Sequence, residues 1–147
     1  MRLTFTKRDG KYDDLLIERA GGASDRIRCP KQGIIPHDMV HYAVESVLAH
    51  RGFLGLVADG EAADFRTAGG DPEESVERLV ECFQAEMWGE RVPAEELLET
   101  YAVAGEARGH ALAPVSTDDV VTIRARLDEL SRQWAAVPVN GSLTLEM

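Results

Sequence analysis

The chain has 147 residues, 26 acidic against 16 basic side chains, a formal charge of −10, and hydrophobic residues at 44% of its positions. A chain of that length buries about 70% of the surface it would expose unfolded, so its core can hold a fold without disulfides or a structural metal. No apolar run approaches the roughly 20 residues that span a bilayer, and an acidic body lacks the clustered Lys and Arg that phosphate contacts need, so neither membrane nor nucleic acid is an expected partner.

The charge is uneven. Residues 1–35 carry eight basic and five acidic side chains, the remainder eight and twenty-one, and no lysine follows Lys31. The N-terminal part is therefore the one place where an anionic partner could dock, although solvated strand faces and acidic outer helix faces are the stronger explanation. The opening residues, Met1 to Arg8, are too polar for the apolar region of a signal peptide. Cys29 and Cys82 are isolated, which makes no disulfide framework. The expected compartment is the cytoplasm, and Asn140-Gly141-Ser142 is expected to be a turn.

In chain order, Leu3 and Phe5 alternate with polar neighbours, Asp9-Gly10 signals a hairpin, and Leu15 and Ile17 alternate again. Gly21-Gly22 supplies a second turn before Asp25-Arg26-Ile27-Arg28-Cys29. This predicts a three-stranded antiparallel meander with one apolar face that needs a cover. A first helix opens near Pro36, with Val40, Ala43, Val44, Val47 and Leu48 as its apolar stripe. From His50 to Gly60 the pattern fits either a short helix or a buried turn, and Thr67 to Gly70 reads as a joint.

A second helix starts at Asp71 as cap, with Pro72 and Glu74 behind it, and runs through Val76, Leu79, Val80, Phe83 and Met87 to Gly89. A third begins at Pro93 with Leu97, Leu98 and Tyr101 inward, and its later half, Ala102 to Gly109, carries little apolar bulk and could fray. A fourth opens at Ser116, three residues before Asp119, and carries Val120, Ile123, Leu127, Leu130 and Trp134. That stripe covers about two heptads, which fits core packing within a domain better than a coiled coil. Ser142 to Met147 alternates like a strand, and the N-terminal sheet is its available partner. The expected fold is a single α+β domain: residues 1–35 strand-rich, 36–136 helical, and 137–147 a closing strand, with about four helices over the sheet.

The chemistry concentrates in Pro36 to Glu45. His37, His41 and Glu45 are four residues apart, so two imidazoles and a carboxylate share one helix face. On a helical wheel they fall on the shoulder of the apolar stripe, where a ligand site stays partly dry. The same placement suits a structural His–Glu pair at the edge of a core. If a metal is bound, His37 and His41 are the ligands, and Glu45 either completes the set or orients His41; zinc is the expected ion, ahead of iron or nickel.

His37-Asp38-Met39-Val40-His41 resembles the zinc-metallopeptidase helix motif H-E-x-x-H over these five positions. The resemblance implies His37 and His41 as zinc ligands and places Asp38 where the family has its glutamate base, one methylene shorter. It leaves the third ligand open among Glu45, Asp59, Glu61 and Asp64. Cys29 could add a soft ligand, or a nucleophile beside a histidine base, but its alternation with Ile27 reads more simply as a buried small hydrophobe. Tyr42 and Asp38 are expected on the solvent side, and Glu77, Glu81, Glu95 and Glu99 on solvated helix faces. His50 is explained by a helix C-terminus and His110 by a polar loop. Neither a phosphate loop nor a G-x-S-x-G elbow is present.

The expected function is that of a ligand- or protein-binding module, with a metal-binding protein or metal-dependent hydrolase built on the His37/His41/Glu45 face as the alternative. A homodimer through exposed helix faces is the expected assembly if the chain self-associates.

Overall fold

The computed structural model describes residues 1–31, 33–48, 53–60, 70–109 and 111–147, with Phe53, Asp71 and Pro72 described by backbone alone. Three strands, β1 (Arg2–Thr6), β2 (Tyr12–Glu18) and β3 (Ser24–Pro30), form the expected meander. A fourth, β4 (Ser142–Glu146), pairs antiparallel with β1, so the sheet order is β3-β2-β1-β4. The register sets Leu3 against Ile17 and Leu145, and Phe5 against Leu15 and Leu143, which puts the apolar residues of three strands on one face. Leu3, Phe5, Leu15 and Ile17 are wholly buried.

Five helices follow among the described residues: α1 (His37–Val47), α2 (Phe53–Ala58), α3 (Asp71–Trp88), α4 (Ala94–Arg108) and α5 (Thr117–Ala136). The count exceeds the four expected because Phe53–Ala58, within the stretch left open between helix and turn, is helical; His50 to Gly52 lie outside the described residues. Helix α2 buries Leu54 and Val57, three residues apart, and Gly60, at φ 104°, turns the chain out of it. Six residues are too few to hold a helix unaided, so α2 exists by docking. Its Val57 carbonyl accepts a hydrogen bond from Arg19 Nε at 2.6 Å, which ties it to the chain leaving β2.

The other boundaries fall close to their sequence signals. Pro36 is the cap and His37 the first helical residue of α1, while Gly70, one residue before Asp71, caps α3. Ser116 and Asp119 close a reciprocal capping box at α5. The second half of α4 is helical to Arg108. Gly105 is buried there against Leu112, and Gly109, at φ 70°, ends the helix in a left-handed cap.

Helices α1 and α5 meet the sheet. Phe5 and Trp134 pack edge to face with ring centroids 6.4 Å apart, and the Tyr42 hydroxyl donates to the Glu146 carbonyl at 3.1 Å. Helix α3 lies against α1, and α4 bridges α3 and α5. Seven consecutive α1 residues, Met39 to Glu45, are buried. Tyr42 is therefore not on a solvent face, because β4 and the helices surround α1 on sides that a two-layer reading leaves open.

Closure by β4 predicts a graded response. Leu145→Ala removes a side chain packed beneath Leu3 and is expected to cost about 2–5 kcal/mol. Thr144→Ala, on the outer face, is expected to stay within about 0.5 kcal/mol. Urea unfolding of the two variants checks the difference, and equal costs would mean that β4 contributes no core.

Candidate metal centre

The site begins with the buried length of α1. Successive turns place His37, His41 and Glu45 along one side, with the His41 side chain 2% exposed and that of Glu45 1%. Burying an imidazole and a carboxylate is tolerated only if their polar atoms are paired. His41 Nδ1 meets Glu45 Oε2 at 3.0 Å. Glu45 in turn accepts the backbone N–H of Leu54 at 3.2 Å on Oε2 and that of Gly55 at 3.1 Å on Oε1. These amides belong to the first turn of α2, where helical N–H groups have no partner within the helix.

Helix α3 supplies the opposite wall. Glu77 and Gln84, two helical turns apart, both face α1. Gln84 Oε1 lies 2.6 Å from His37 Nδ1. Glu77 Oε2 lies 2.8 Å from His41 Nε2, and Oε1 lies 3.3 Å from His37 Nε2. The two Nε2 atoms are 3.2 Å apart and the rings meet edge on. His37, His41 and Glu77 thus converge three ligand atoms lying within 4.8 Å of one another, the one such group of three or more among the described residues.

The hydrogen bonds define the electronic state of this cluster. Glu45 Oε2 and Gln84 Oε1 are acceptors, so each Nδ1 carries a proton. In a neutral ring Nε2 is then a lone pair. Two such lone pairs facing each other beside a carboxylate repel unless positive charge sits between them, supplied by protons or by a cation.

The titration behaviour agrees. Burial disfavours a charged His41, but its bonds to Glu45 and Glu77 outweigh burial and raise it to about 10. His37 is also raised: burial and the charge of His41 oppose this, while Glu77 and Gln84 prevail. Burial pushes the Glu77 carboxyl up, yet the two imidazoles hold it well below the usual carboxylate range.

Of the residues singled out from sequence, His37 and His41 are brought together, and Glu45 stands behind His41 with its oxygens turned to His41 and α2. Asp59 is exposed beyond α2, and Glu61 and Asp64 lie outside the described residues, as do His50 and His110. Asp38, at the place of the metallopeptidase base, has Oδ2 3.6 Å from the Cys29 thiol that donates to it. Burial and the negative charge of Asp38 raise the pKa of that thiol, the opposite of what an activated nucleophile needs.

Glu95 and Glu99 are exposed as expected, and Glu81 is exposed and pairs with Arg78 at 3.1 Å. Glu77 departs from its expected place on a solvated face: its side chain is 27% exposed and pointed at α1. A weak signal was present, since Glu77 and Gln84 fall within 20° of each other on a helical wheel, beside Val80 on the edge of the apolar stripe. Compared with protein-family models, with curated proteins and with solved structures, the chain has no match.

The charge balance predicts the pH response of the metal-free chain. His41 is raised in the folded state, so the stability its charge contributes is complete below its ordinary value of 6.5 and is lost as pH rises through about 10. Glu77 is lowered, so its contribution is complete above 4.5 and is lost in acid. Urea midpoints of chelator-treated protein should therefore fall between pH 7 and 10, and fall less in Glu77→Gln. An identical alkaline slope in the two proteins would show that the pairing contributes nothing.

Proposed function

We propose that the protein binds a divalent transition-metal ion, zinc foremost, through His37 Nε2, His41 Nε2 and the Glu77 carboxylate. The observation that carries this reading is the convergence of both Nε2 atoms on Glu77 while both Nδ1 atoms are held by acceptors. Imidazole ligands to zinc have this arrangement: one nitrogen on the metal, the other donating to a carboxylate or carbonyl. The spacing supports it too. Two nitrogens bonded to one tetrahedral ion at about 2.0–2.1 Å lie about 3.3 Å apart, close to the 3.2 Å between these two.

The donor set of two imidazoles and a carboxylate suits zinc, with iron or nickel as weaker candidates. Three protein ligands leave a tetrahedral position for water or a substrate oxygen. The side chains of His37 and Glu77, 34% and 27% exposed, border that position on the solvent side. The reading unites the two functions expected from sequence: the protein is a binding module whose ligand is a metal ion. Its likeness to the metallopeptidase helix is confined to the two histidines, because Asp38 is turned to Cys29 and does not support the role of base.

Protein purified without an affinity tag is expected to hold close to one zinc per chain by elemental analysis. His37→Ala, His41→Ala and Glu77→Ala should each lower affinity by more than ~100-fold, beyond the ~10–100-fold typical of removing a group that only orients a ligand. Zinc at about a thousand times the wild-type dissociation constant should add about 4 kcal/mol of stability to the wild type and at most about 1.4 kcal/mol to the variants. Binding should also release protons, because His41 must surrender its Nε2 proton. Wild type without stoichiometric zinc, iron or nickel, and without uptake of added zinc, would sink the proposal.

A further inference from the structure

We infer that Glu45 is a positioning residue through which the docking of α2 sets the affinity of the metal site, and that metal in turn tightens the docking of α2. The inference rests on the reading of His37, His41 and Glu77 as metal ligands and adds a regulatory lever to it. Glu45 is a poor ligand in this geometry. Its Oε2 is shared by His41 Nδ1 and the Leu54 amide, and its Oε1 takes the Gly55 amide, so at least three of its roughly four acceptor directions are engaged within the protein. Those three donors instead make Glu45 a fixed acceptor that holds one tautomer and one orientation of His41.

The chain of contacts runs from the first-turn amides of α2, through the buried carboxylate, to His41 Nδ1, and across the ring to Nε2. The His41–Glu45 and Glu45–Leu54 links are hydrogen bonds between buried groups and the Gly55 link is partly buried, so a shift in one link weakens its neighbours. When α2 undocks, the carboxylate loses the Leu54 and Gly55 amides and is held less firmly. Its orientation of His41 then loosens, and metal affinity falls. Linkage makes the effect reciprocal: the factor by which docked α2 strengthens metal binding is the factor by which metal strengthens docking. Because α2 has six residues and exists by docking, a partner or ligand that displaces it would release the metal without touching a ligand residue.

Two measurements on the full chain test this. Glu45→Gln keeps the size of the side chain but offers one carbonyl oxygen to three donors and turns an amide N–H₂ toward the others. It is expected to lower zinc affinity, read by competition with a chromogenic chelator, by ~10–100-fold. It should also shift the visible absorption of the cobalt-substituted protein, a change that a loss of stability alone does not produce. In the unaltered protein, zinc saturation is expected to slow hydrogen exchange of the Leu54 and Gly55 amides by a similar factor, with the exposed amides of α4 as an internal reference.

If Glu45→Gln fails to fold, the exchange measurement on wild type decides alone. Wild-type zinc binding with an unchanged affinity and cobalt spectrum in Glu45→Gln overturns the inference and leaves the metal site standing. So does wild-type binding that leaves Leu54 and Gly55 exchange unmoved. Failure of the wild type to take up zinc overturns both.

Discussion

Helix α1 is buried on nearly every side, and it carries a histidine and a glutamate in its buried stretch. An apolar helix in that position would need only a close fit. With His41 1% and Glu45 6% exposed, the surrounding elements must instead supply hydrogen-bond partners, because an unpaired buried polar group costs more than a typical hydrogen bond contributes. The α2 amides meet that requirement for Glu45 and Glu77 meets it for His41, while Gln84 holds the neighbouring His37. The positions of α2 and α3 relative to α1 are thus set by polar pairing as well as by apolar contact.

The sheet makes this burial unavoidable. Three of the four strands present Leu3, Phe5, Leu15, Ile17 and Leu145 on one face, and such a face is stable only when covered. Helices α1 and α5 cover it. A second tier, α3 and α4, then covers what the first leaves open, so α1 lies in the middle of the molecule. Its polar stripe faces α3, away from the sheet, and there a cluster can be walled by protein on one side and reached by solvent on the other.

Two demands meet at that cluster. Stability asks that the negative charge of Glu77 be balanced and that the lone pairs of two imidazoles not confront each other bare. A metal-binding role asks that the same atoms remain available to a cation. Protons satisfy the first demand and compete with the second, so the arrangement that stabilises the metal-free chain at neutral pH is also the one a metal must displace protons from.

The sequence alone determined the local features. Alternation in Leu3-Thr4-Phe5 and in Leu15-Leu16-Ile17, the Asp9-Gly10 and Gly21-Gly22 turns, the Ser116–Asp119 cap and the alternation of Ser142 to Glu146 are all short-range signals, and each marks an element at nearly its observed place. The shared face of His37, His41 and Glu45 is equally local, since helical spacing alone places them together. Other features depended on packing.

That the Glu45 carboxylate meets α2 amides nine and ten residues away depends on packing, in a segment whose helical state itself depends on docking. Glu77 looked like one more acid on an acidic helix, and only the approach of α3 to α1 turned it inward. Tyr42 was legible as a solvent-side residue only while α1 was assumed to have a solvent side. Periodicity reports which face of an element is apolar; the identity of the group opposite its polar shoulder belongs to the packing of elements distant in sequence, and that the tertiary structure alone decided.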